Sequence, residues 1–86
     1  MVKNISEKQL EKIETQIKLY KSAQEITEEM LKLLYKKREN ENISSFKYDD
    51  LSTDIHTIIQ SRRIILGELC DLDEQKSKII NNFENL

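Results

Sequence analysis

The chain has 86 residues, with one glycine, one cysteine, one histidine and neither proline nor tryptophan; 37% of it is apolar, 35% charged, and the formal net charge is −2. That size fits one small domain, and Cys70 with His56 as the only histidine excludes both an intramolecular disulfide and a zinc site built by one chain. No basic block tracks a phosphate backbone and no apolar run approaches the ~20 residues that span a bilayer, so neither nucleic acid nor a membrane span is expected.

The first residues carry no signal-peptide core, which points to a cytoplasmic protein. Ser6 has Gln9 three positions later, the spacing of a capping box, and Ile5 and Leu10 stand at the spacing of a hydrophobic staple. Glu7 adds a negative charge where the helix dipole favours one. These signals predict a helix start at Ser6. The helix then carries Leu10, Ile13, Ile17, Tyr20, Gln24, Thr27, Leu31 and Leu34, an unbroken alternation of three and four. A second row, Leu19, Ala23, Ile26, Met30 and Leu33, joins it midway, so the apolar face widens toward the end. Lys36, Lys37 and Arg38 close the helix with the sign that opposes the dipole. The predicted span is about 6–39.

Asn40 to Ser45 holds the turn and cap residues Asn-Glu-Asn and Ser-Ser. So short a connection predicts that the second helix folds back antiparallel on the first. Ser45 and Asp49 are both candidate caps, and Asp49, Asp50 and Asp54 make the start acidic. Ile43 and Phe46 are candidates to plug the loop end.

The second helix, about 46–84, has the longest pattern. With Tyr48 at heptad position a, the a row continues through Ile55, Arg62, Leu69, Lys76 and Phe83. The d row is Leu51, Ile58, Ile65, Leu72, Ile79 and Leu86, and a third row, Ile59, Leu66 and Ile80, lies at e. One helix cannot hide three such rows. The predicted fold is therefore all-α: an antiparallel two-helix hairpin, one domain over 1–86, that completes a three- or four-helix bundle by dimerisation or partner binding. Arg62 and Lys76 interrupt the seam. They are read as stems that pack while their charges reach solvent or meet acids across the interface, with an anion-binding pair as the alternative. Gly67 falls at f, where it marks a bend or a close backbone approach, or is simply tolerated by the helix.

Chemistry is poorly served. His56 and Cys70 both fall at b, toward solvent, and Cys70 has no histidine at helical spacing to activate it. Asp71-Leu72-Asp73 lacks the glycine of a calcium loop, and no glycine-rich phosphate loop exists. No enzyme, cofactor or metal is expected. Asp50 to Arg63 distantly resembles the first helix of the all-helical chorismate mutases, but the arginine expected ahead of it and a third helix are missing.

A second resemblance runs over residues 17 to 70. Tyr20 with Ile26-Thr27-Glu28-Glu29-Met30-Leu31, and Leu51 with Ile55, Ile58-Ile59-Gln60-Ser61-Arg62-Arg63 and Ile65-Leu66, resemble small flagellar export chaperones of the FlgN and FliT type. The helical accessory proteins of type VII secretion look similar. This chain has two helices where a FliT-like protein has four. The resemblance implies a chaperone or adaptor that binds a helix of a secreted partner. The candidate partner-binding residues are Ile59, Leu66, Leu69, Leu72, Ile79, Ile80 and Phe83, on the second helix toward its end. A structural homo-oligomeric coiled coil is the alternative. So is a regulator encoded by a phage or plasmid that blocks a host protein with its helical face. The abundance of Lys, Asn, Ile and Glu fits an AT-rich genome, that of a low-GC bacterium or of its phage or plasmid.

Overall fold

A computed structural model describes the backbone of residues 2–84 and the side chains of residues 7–82. Helix α1 spans Val2–Arg38, helix α2 spans Ser45–Glu84, and residues 39–44 connect them. The fold is the expected all-α hairpin. α1 begins four residues before Ser6, so Ser6 lies inside the helix instead of capping it, and no acidic residue occupies the first turn. Nothing between Val2 and Ile5 breaks a helix, and each added residue gains a backbone bond once a helix exists. The Ile5 and Ser6 side chains lie outside the described ones.

The turn is built by its asparagines and serines. The Glu39 N–H donates to the Tyr35 carbonyl at 3.0 Å, and the Asn40 N–H to the Lys37 carbonyl at 3.3 Å, which tightens the last turn. Asn40 Oδ1 then accepts the Asn42 N–H at 3.1 Å, a side chain standing in for a backbone turn. Ser44 caps α2: its hydroxyl accepts the Lys47 N–H at 3.2 Å and its carbonyl accepts the Tyr48 N–H at 2.9 Å. The cap is thus neither Ser45 nor Asp49. Asp49, Asp50 and Asp54 fall beyond the first turn, where the dipole has faded. Ile43 is half-buried, but Phe46 points to solvent and plugs nothing.

Arg38 was legible only as part of a basic helix end. Its guanidinium lies 5.2 Å from the Tyr35 ring centroid and 5.4 Å from that of Tyr48, and Nη1 donates to Ser52 Oγ at 3.3 Å. It clasps the two helices at the loop end. Toward the open end, Lys76 Nζ reaches Glu14 Oε1 at 3.6 Å. In both cross-helix pairs the residue numbers sum to 90 (38 and 52, 14 and 76), so residue n of α1 stands level with residue 90 − n of α2.

The molecule is a rod of 64 × 14 × 14 Å, with a radius of gyration of 19.3 Å against about 12 Å for a compact domain of this length. Its buried side chains fall into two groups. Ile13 and Ile17 pack with Leu69 and Leu72, flanked by Tyr20, Ile65 and Ile79. Leu31, Leu51 and Ile55 are buried toward the loop. Between Ile17 and Leu31, and between Ile55 and Leu69, no described residue is buried. That stretch is a polar waist. Gln24, Thr27 and Arg62 occupy the seam there, and Thr27 Oγ1 donates to the Gln24 carbonyl at 2.7 Å.

Candidate interaction surface

The helix–helix seam decides which apolar rows remain free. Along α1 the row Leu10 to Leu34 turns inward as its spacing predicts, every member buried or half-buried. The second row does not. Leu19 is 66% exposed, Ile26 60% and Leu33 59%, with Met30 also exposed and the small Ala23 half-buried. These five residues repeat the 3-4 spacing of a helix seam over 14 residues, a stripe of about 21 Å with no helix on it.

The stripe lies on one flank of the hairpin. Met30 lines a shallow groove with Leu34, Asp54, Thr57 and Ile58. Ile64, one heptad after Thr57, stands on the same flank and is 67% exposed. Because 26 and 64 sum to 90, Ile64 is level with Ile26, beside the waist. The opposite flank carries the groove of Glu28, Leu31, Lys32, Tyr35 and Arg62. Heptad spacing puts Ile59 and Leu66 on that second flank, three before and four after Arg62. The doubled row of α1 and the e row of α2 therefore belong to two surfaces.

The seven residues expected to bind a partner are divided by the structure. Leu69 and Leu72 are consumed by the hairpin's own core, and Ile79 packs against it. A residue facing α1 cannot also face a partner. Ile59 and Ile80 are half-buried, Leu66 is exposed, and the Phe83 side chain lies outside the described ones. The wider free surface is on α1, at Leu19, Ile26, Met30 and Leu33, the row that widens its apolar face.

The polar candidates are separated as well. Lys76 is tied to Glu14, and Arg62 lies 14 residues away, about 21 Å along one helix, too far to share a small anion with it. His56 and Cys70 are exposed; the His56 Nε2 lies 3.2 Å from Gln60 Nε2 in the next turn. Among the described residues no group of three His, Cys, Asp or Glu side chains could hold a metal, and no helix is long and apolar enough to cross a membrane. Gly67 has open space around the position of a Cβ, so no neighbouring backbone requires a glycine there.

These features define a two-helix hairpin with one unpartnered apolar stripe. No family model, no curated protein and no solved structure matches the chain. The resemblance to flagellar export chaperones rests on the residues quoted for it alone.

Proposed function

We propose that the chain is a non-enzymatic helical protein–protein interaction module, which offers the Leu19–Leu33 stripe of α1 to an amphipathic helix of another chain, as a small chaperone or adaptor does. The observation that carries this is the stripe itself. It has the spacing of a helix seam, it runs beside the hairpin seam, and it borders the waist where the hairpin packs worst. A helix laid there removes four large apolar side chains from water, at roughly 25 cal/mol for each Å² covered. The chaperone form of the reading adds the resemblance over residues 17 to 70; a secreted partner belongs to that form only.

Site-specific photocrosslinking in the producing cell tests it. A photoreactive residue at Ile26 is compared with one at Lys21, which is exposed away from the stripe. Crosslinks from position 26 mapped to the apolar face of a helix in another chain support the reading. Equal yields from the two positions would count against a contact face on α1.

A further inference from the structure

We infer that the helix covering this stripe in the free protein is α1 of a second copy, packed antiparallel about a two-fold axis beside Ile26 and Ile64, so that a client helix displaces a copy instead of meeting a bare surface. The inference rests on the reading of the stripe as a contact face and names its resident occupant.

The stripe is self-complementary. A closed two-fold interface demands that residue i meet j while j meets i. With the axis at Ile26, Leu19 falls opposite Leu33 of the second copy, seven residues to either side. Ala23 and Met30 then come within one residue of facing each other, the one small side chain beside the longest flexible one. Ile26 meets its own copy. Large against small is how helix ridges enter facing grooves at a spacing of about 8–10 Å.

The hairpin register adds an independent coincidence. The axis that centres the α1 stripe also passes the level of Ile64, among the described residues the one large exposed apolar side chain on the α2 side of that flank. A second copy covers both with one operation. An unrelated helix would cover Ile26 without any reason for Ile64 to stand level with it.

Charges permit the contact. Along the edge of α1, Glu29 of the second copy comes opposite Ala23 and Thr15 opposite Lys37. Along α2, Asp50 comes opposite Lys78 and Thr57 opposite Asp71. None of these pairs sets like charges together, and a net charge of −2 per chain leaves little repulsion to overcome. The opposite flank, with Arg62 and Lys32 in its groove, offers no such palindrome.

Area agrees. The chain exposes 7006 Å², whereas a compact monomer of 10.2 kDa exposes about 5,300 Å². The excess of about 1,700 Å² is that of a 64 × 14 × 14 Å rod, and a second rod laid along its flank lowers it.

Sedimentation equilibrium of the full chain tests the inference, together with the variants Ile26→Asp and Leu66→Asp and with dye binding by anilinonaphthalene sulfonate. The expected result is twice 10.2 kDa for the parent chain and for Leu66→Asp. Ile26→Asp should raise the dissociation constant at least about a hundredfold, because two carboxylates would be buried without partners. Should that variant fail to fold, Ile64→Cys in a Cys70→Ser chain gives a second test, as it forms a disulfide between copies under mild oxidation. A parent chain that stays monomeric at about 100 μM overturns the inference. If that monomer binds the dye and Ile26→Asp does not, the stripe remains a contact face for another chain. If neither binds it, the functional reading falls too.

Discussion

The waist predicts that one polar residue on the seam holds the hairpin below the stability its spacing allows. Gln24 occupies the heptad row Ile17–Gln24–Leu31, whose outer members are 7% and 4% exposed while Gln24 itself is half-buried. Its only side-chain hydrogen bond among the described residues runs from Nε2 to Glu28 Oε1 at 3.5 Å, at the outer limit of such a bond and at the surface. Replacing it with Leu loses almost nothing there. Full burial of a leucine side chain is worth about 1.5–3 kcal/mol, so half-burial is worth about 1 kcal/mol. For a domain this small that raises Tm by about 4–8 °C. Thermal unfolding followed by circular dichroism, at one fixed protein concentration, reads the change for Gln24→Leu against the parent. A lowered Tm would refute the reasoning, for it would mean that Gln24 makes an interaction that the seam depends on.

Leu69→Ala should be costly, by about 2–5 kcal/mol, since Leu69 packs among Ile13, Ile17 and Leu72. That is a large part of the roughly 4–13 kcal/mol expected for 86 residues, and urea unfolding would show a much lower midpoint. Gly67→Ala should stabilise α2 by about 0.5–1 kcal/mol, because the new methyl meets open space; a loss of stability in the same assay would reveal a neighbour at that position. Arg38→Ala should cost about 1–2 kcal/mol through the two tyrosine contacts and fray the loop end first, visible as faster amide exchange at residues 44–52 than near Leu69.

The sequence carried the elements better than their allocation. The 3-4 series of both helices and the polar Asn40–Ser45 break located two helices and the turn, because periodicity and turn chemistry are local properties. The start of α1 was read too late, since a capping-box spacing binds only where the chain actually leaves the helix, and nothing before Ser6 makes it leave. The α2 cap shifted to Ser44 for the complementary reason: Ser44 and Ser45 are the same residue type, and only the hydrogen bond to Lys47 tells them apart. Heptad rows say which residues share a face, not which face the neighbouring helix takes. Leu69 and Leu72 therefore looked as available as Leu66 until the register closed α1 over them. Arg38 shows the same gap, as its two tyrosines come from different helices.

The central claim is that the contact face lies on α1 and not along the C-terminal half of α2. Methyl NMR of the full-length protein with a soluble gadolinium chelate tests it directly. With α1 covered, the methyl signals of Leu19, Ile26, Met30 and Leu33 are shielded nearly as well as that of Ile17, while Leu66 is strongly attenuated. Strong attenuation at Ile26 and Leu33 with Leu66 shielded would place the covered face on the other flank and contradict it.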